Sequence, residues 1–170
     1  EETRESAIID PSFDSFETIC SIVDSLSLKP TQILITHSHL DHIADAEAVK
    51  QFYNIPLYVH PLDQGNIINP GSDGLPLMFP IKAVKPSGFL NDGDLVTIGK
   101  IQGKVMHTPG HSPGGICFYF PNEDILIAGD TLFKGSIGNL SFPTAEPDKM
   151  WDSLKRLSVL PKQTRVLSGH

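Results

Sequence analysis

An α/β layered fold is what this sequence predicts, on three grounds. In the first third, short apolar runs alternate with stretches of helical period, giving the order strand, helix, strand, helix, strand. Beyond residue 90 the pattern changes to short strands joined by tight turns. The composition, 39% hydrophobic and 19% charged over 170 residues, is that of a globular protein, neither disordered nor collagenous. A chain of this length buries roughly 70% of its unfolded surface. Its core therefore needs no disulfide support, and residues 1–170 are expected to make one domain.

Ser6 to Ile9 is a short apolar run closed by Asp10-Pro11, the signature of a strand followed by a turn. From Asp14 the period becomes helical. Phe16, Ile19, Cys20, Val23 and Leu26 fall on one face of a helix that ends before Lys29-Pro30, since proline disfavours helical backbone in the residue ahead of it. Ile33-Leu34-Ile35 is continuous apolar sequence too short for a helix and reads as a buried strand. After a histidine-rich loop, Ile43 to Phe52 has a helical pattern, and Pro56 to Val59 is another short strand. Asn69 to Gly88 holds four prolines and three glycines, which marks a long surface loop or lid. Asp94 to Ile98 and Ile101 to Met106 flank Gly99-Lys100 as a hairpin, and Ile116 to Phe120 and Asp124 to Ala128 flank Pro121-Asn122-Glu123 as another. Pro147 suits the first turn of a helix whose buried stripe is Met150, Trp151, Leu154 and Leu157 and which Pro161 ends. A last strand, Arg165 to Leu167, leads into Ser168-Gly169-His170.

Thirteen basic against twenty acidic residues leave a net charge of −7. That balance opposes wide contact with a phosphate backbone or an anionic lipid surface, and no apolar run reaches the ~20 residues that span a bilayer. Neither nucleic acid nor membrane is therefore an expected partner. No signal peptide is visible, and two cysteines, Cys20 and Cys117, suit a reducing, cytoplasmic setting. Cys20 on the helix stripe and Cys117 within a strand sit where core residues sit, not nucleophiles.

Chemistry is concentrated in the histidines. In Thr36-His37-Ser38-His39-Leu40-Asp41-His42, four side chains able to bind a metal fall within six residues. A loop at a strand end can aim such side chains at one point without disturbing the core. Imidazole and carboxylate donors suit zinc, iron or manganese, and the lack of nearby thiolates argues against a structural zinc knot. An ordinary solvated turn does not carry this density of ligands. Two more histidines lie in His107-Thr108-Pro109-Gly110-His111-Ser112-Pro113-Gly114, where the Pro-Gly pairs make a rigid loop. His107, at the strand end, suits a packed or supporting role better than direct ligation. Ile125 to Thr131 delivers Asp130 at the carboxyl end of an apolar strand after Gly129, and Ser168-Gly169-His170 repeats that pattern more faintly. By itself an aspartate at a strand end is a turn former; in this company it is a candidate ligand.

These motifs, His37-x-His39-x-Asp41-His42, Pro109-Gly110-His111-Ser112-Pro113-Gly114, Gly129-Asp130-Thr131 and Ser168-Gly169-His170, resemble the metallo-β-lactamase superfamily in order and spacing across nearly the whole chain. The run from Gly129 to Gly138 resembles the glyoxalase II group of hydroxyacylglutathione hydrolases, most of all its compact members without a separate C-terminal substrate domain. The resemblance implies a four-layer αββα sandwich with a two-metal site at one edge, the ions being zinc, with iron or manganese also suitable. Carried over by position, His37, His39 and His111 would hold the first ion. Asp41, His42 and His170 would hold the second, and Asp130 would bridge them. The family's ligand is the histidine after Pro-Gly, which assigns the role to His111 and leaves His107 in support. The resemblance also implies a native strand or two before Ile8 and a further segment after His170.

The implied reaction is hydrolysis of a thioester such as S-lactoylglutathione by a hydroxide shared between two ions, with Asp41 and Asp130 as catalytic carboxylates. A thiolate leaves without a strong general acid, so no serine or cysteine nucleophile is needed. Where the glyoxalase II group usually carries a basic residue, after Ile137-Gly138, this chain has Asn139-Leu140-Ser141; Lys134 is the nearby cation. A persulfide dioxygenase of the same fold would hold one iron with His37, His111 and Asp130 alone, but the Gly129 to Phe133 run favours the hydrolase group. A superfamily phosphodiesterase is opposed by the acidic balance and the lack of a Lys/Arg cluster. The diiron flavoprotein relatives resemble one another in carrying glutamate at the position of His39. A non-catalytic interaction module would be expected to lose ligands first, and here the set is complete.

Overall fold

The computed structural model describes residues 3–170. Strand β1 (Glu5–Ile9), helix α1 (Phe16–Ser25), strand β2 (Lys29–Leu34), the short helix α2 (Leu40–Ile43), helix α3 (Ala46–Tyr53) and strand β3 (Leu57–Val59) follow the expected alternation. A 3-10 turn over Pro61–Asp63 runs into helix α4 (Gln64–Ile68), and strand β4 (Gly88–Phe89) follows the long loop. The second half comprises β5 (Leu95–Ile98), β6 (Ile101–His107), β7 (Ile116–Phe120), β8 (Ile125–Gly129), the small hairpin β9 (Leu132–Phe133) and β10 (Ser136–Ile137), helix α5 (Pro147–Ser158) and strand β11 (Arg165–Ser168).

Two sheets result, and the alternation of apolar side chains along their strands stacks them into layers. The first has the order β1-β2-β3-β4 and is parallel throughout. The second has the order β11-β8-β7-β6-β5, antiparallel except where β11 runs parallel to β8. On β2, Ile33 points with Ile35 into a core shared with Ala46 and Val49 of α3, while Leu34 points the other way. Leu34 meets Val105, Ile116, Phe118 and Phe120 from the second sheet. The alternate residues of that sheet, Met106, Cys117, Leu126 and Ala128, pack on Leu157 of α5. Helix, sheet, sheet, helix is thus the αββα sandwich expected, and period-two patterning produces it. Among the described residues no helix is long and apolar enough to cross a membrane.

Both expected hairpins form: Ile98 pairs with Ile101 around Gly99-Lys100, and Phe120 with Ile125 around Pro121 to Asp124. Some elements depart from expectation for identifiable reasons. β2 begins at Lys29 and includes Pro30, because β3 pairs only with Ile33 and Leu34, leaving the strand open on that side where proline sits. The helix expected over Ile43 to Phe52 is broken in two at Asp45, whose carboxylate turns to accept hydrogen bonds from the Ser15 and Phe16 N–H groups at the start of α1. Leu26 and Trp151, expected on buried stripes, are 59% and 63% exposed; the stripe of α5 is instead Met150, Ser153 and Leu157. The loop before β4 is pinned: the Asn66 carboxamide accepts from the Gly71 and Asp73 N–H groups, and Val84 is buried in the first core.

Candidate metal centre

The centre lies where several strands end at one edge of the sandwich. β1 and β2 are parallel, so Asp10 emerges beside the His37–His42 loop; β8 and β11 are parallel, so Asp130 emerges beside His170. Carboxyl ends of parallel strands are where α/β folds place ligands. The β6–β7 loop brings in His111. It is held by α5, where Ser153 Oγ donates to the Pro109 carbonyl at 2.7 Å, and Glu146 N–H to the Gly110 carbonyl at 2.7 Å.

All seven predicted ligands converge. Donor atoms of His37, His39 and His111 lie within 4.8 Å of one another, as do those of Asp41, His42 and His170. Asp130 stands between the two groups, its Oδ2 being 3.5 Å from His111 Nε2 and 3.8 Å from His170 Nε2, and its Oδ1 3.3 Å from His42 Nε2. His170 Nε2 is 3.0 Å from Asp41 Oδ2. Donors on a tetrahedral ion with bonds of ~2.0–2.1 Å stand about 3.4 Å apart, which is the scale of these separations. His107 is not in the cluster: it stacks on His60 with ring centroids 4.0 Å apart, and its Nε2 pairs with the Pro113 carbonyl at 2.9 Å.

The backbone around the centre is built for close approach. Gly129 has φ +48°, which favours glycine, and a Cβ there would meet Thr36 Oγ1 at 2.5 Å. A Cβ on Gly169 would collide with the Asp130 carboxylate and the His42 ring. These two glycines let the strand ends close on one point.

Neighbours fix the rings. Thr36 Oγ1 donates to Asp10 Oδ2 at 2.5 Å and stands 3.1 Å from His37 Nδ1, so that nitrogen donates to it and Nε2 keeps its lone pair for the centre. His111 Nδ1 donates to the Asn139 carbonyl at 2.9 Å, which does the same for its Nε2. His42 Nδ1 lies 2.9 Å from Asp10 Oδ2. Deeper still, buried Asp63 accepts from Ser38 N–H, Gly114 N–H and Ser112 Oγ, tying the two histidine loops together. Asn66 donates to the Ser38 carbonyl at 2.5 Å. Asp10, Asp63 and Asn66 were not legible as site residues. Only Asp10 left a trace, an acid at the end of the strand that precedes the histidine loop.

Burial pulls the His37 imidazole well below its ordinary pKa, pulls His39 down to about 4, and lowers His111. A lowered pKa favours the neutral ring, the form that can ligate. Burial acts on His42 in the same direction, but its contacts with the Asp10 and Asp130 carboxylates prevail and push it up to about 10. Burial raises Asp130, and its contact with His42 outweighs that and leaves it low.

The donor set fits a divalent metal site. His37 Nε2 is buried with no hydrogen-bond partner, His39 meets the cluster through Nδ1, 2.8 Å from His111 Nε2, and His42 Nε2 and Asp130 Oδ1 face each other without the alignment of a hydrogen bond. Buried polar atoms left unpaired cost free energy, and a shared cation satisfies them together.

A family model described as the metallo-beta-lactamase superfamily matches residues 1–170. The chain belongs to that superfamily. A probable metallo-hydrolase, YqgX of Bacillus subtilis (strain 168), is 33% identical over 96% of the chain and 78% of its own length. A hydroxyacylglutathione hydrolase of Rhodospirillum rubrum is 34% identical over 99% of the chain, which spans 58% of that protein. Among solved structures, the BLEG-1 B3 metallo-beta-lactamase superposes with a TM-score of 0.91 at 35% identity, covering 100% of this chain and 83% of that one. TTHA1623 in a di-iron-bound form gives 0.78 at 37% identity, covering 95% and 80%, and ETHE1 from Myxococcus xanthus 0.78 at 27%, covering 100% and 67%.

A cleft of about 440 Å³ opens over His39, His111 and Asp130 and is walled by Leu40, Leu75, Phe133, Asn139 and Phe142. Its size is that of a small-molecule site.

Proposed function

We propose that this chain is a metal-dependent hydrolase that cleaves a small-molecule thioester. The observation that carries the reading is the convergence of five imidazoles and two carboxylates, with Asp130 placed between two three-donor groups. In this reading His37, His39 and His111 hold one ion, Asp41, His42 and His170 hold the other, and Asp130 contacts both. Zinc is the expected ion, with iron or manganese suitable for the same donors. The di-iron-bound relative TTHA1623 supports a pair, and residues 1–170 act as one domain. Two unpaired cysteines suit a reducing, cytoplasmic setting.

Two divalent ions so held would supply Lewis acidity, acidifying water and polarising a carbonyl oxygen. The rest falls to the chain. Asp41, 44% exposed beside His170, accepts a hydrogen bond from the attacking water and directs it. Asp10 and the Asn139 carbonyl keep the His42 and His111 rings turned inward. Phe142, edge-on to His39 at 5.3 Å, keeps bulk water off that side. A thiol leaving group, with a pKa near ~8.5, departs as the anion and needs no strong proton donor.

The deciding experiment quantifies metal on the purified chain, then assays S-lactoylglutathione and simpler thioesters with oxygen uptake followed in parallel. Close to two ions per chain and thioester cleavage without oxygen uptake is the expected result. One iron per chain, with oxygen consumed on a persulfide, would establish the dioxygenase reading instead. RNA cleavage in place of thioester cleavage would establish the phosphodiesterase.

A further inference from the structure

The cleft beside the ligands has a chemical character that the ligands do not dictate. Apart from the side chains proposed to bind metal, its walls are Leu40, Leu75, Phe133, Phe142 and Asn139, so among the described residues neither Lys nor Arg lines it. The two phenylalanines flank the cluster itself. Phe142 stands 5.3 Å from the His39 ring and 5.5 Å from the His111 ring, while Phe133 stands 6.3 Å from the His170 ring. A group reaching from the centre into this cleft meets both rings. Asn139, the polar wall, is neutral, and its Oδ1 is occupied by the Ser141 N–H at 2.8 Å.

Burying a carboxylate against such walls is expensive without a paired cation, whereas an aromatic or branched alkyl group gains by leaving water. Resting on the hydrolase reading above, we infer that the substrate group taken by this cleft is uncharged and apolar, an aryl or branched-alkyl moiety beside the thioester carbonyl, and that this site does not select glutathione. Glutathione brings two carboxylates, and among the described residues the cleft walls offer them no Lys or Arg. Edge-to-face contact with Phe142 and Phe133 favours an aryl group in particular.

Binding tests this independently of turnover. Calorimetry on the metal-loaded full chain would compare two uncleavable thioethers, S-phenethyl-N-acetylcysteamine and S-methylglutathione. The neutral aromatic probe is expected to bind at least tenfold more tightly. Phe142→Ala is expected to remove about tenfold of that affinity and Phe142→Leu to restore part of it, with metal content unchanged in both as the check on folding. Equal or tighter binding of S-methylglutathione overturns the inference, as does an affinity for the aromatic probe that neither variant moves. Selective binding of the aromatic probe by a chain that cleaves no thioester would leave this inference standing and sink the hydrolase proposal.

Discussion

The two ligand groups of the centre are built in contrasting ways. His37, His39 and His111 are 2%, 3% and 6% exposed, and they sit on two loops cross-tied through Asp63 and held from outside by α5. In the second group only His42 is buried. The side chain of Asp41 is 44% exposed, and its Oδ2 meets His170 Nε2 at 3.0 Å. A site braced before the ion arrives spends less of its binding energy on ordering its ligands. If the proposed pair of ions binds, the two cross-tied loops would hold the first more tightly than the more open Asp41 helps to hold the second.

The largest effect expected is from Asp130→Ala, because that carboxylate faces both groups. Loss of activity should exceed the ~10–100-fold typical of residues one step removed from a metal, and metal analysis should find both ions depleted. Unchanged metal and unchanged thioester cleavage would end the metal reading altogether. His170→Ala sharpens the contrast, since it is expected to keep close to one ion per chain. Should it instead lose both, the two groups are a single cooperative site and the contrast is wrong.

Next in size is Asp10→Asn. Asp10 accepts from Thr36 N–H, Thr36 Oγ1 and His42 Nδ1, and an amide cannot accept all three. The ring of His42 should lose its fixed orientation, weakening the second ion by about 10–100-fold while the first changes far less. Titration against a chelator that resolves two steps would check this. Equal weakening of both steps would mean that Asp10 serves the whole strand end and not His42 in particular.

How much of this was legible in the sequence follows the same division. The His37–His42 motif and both hairpins are local patterns, and local patterns survive folding. Leu34 and Ile33 were legible as core, but their opposite destinations needed the second sheet. Asp63 was invisible because its partners, Ser38, Gly114 and Ser112, lie 25, 51 and 49 residues away, and the first two offer it backbone N–H groups. Any residue type can present such a group. Trp151 was misplaced because helical period alone does not say which side of α5 faces Met106 and Leu126; the neighbouring position, Met150, takes the buried place.

The smallest effect expected separates a histidine near the centre from one in it. His107 and His111 share a loop, and the strand end at Met106 favours a supporting role for the first. His111 Nε2 faces Asp130, whereas His107 Nε2 is 2.9 Å from the Pro113 carbonyl and its ring lies flat on His60. His107→Gln keeps a donor within reach of that carbonyl and loses the stacking. Metal stoichiometry should not change, and stability measured by denaturant unfolding should fall by only about 0.5–1.5 kcal/mol, the scale of one hydrogen bond and its packing. The same substitution at His111 should deplete the buried ion. If both variants lost metal alike, the loop would act as one rigid support and its position, not the identity of the ligand, would decide affinity.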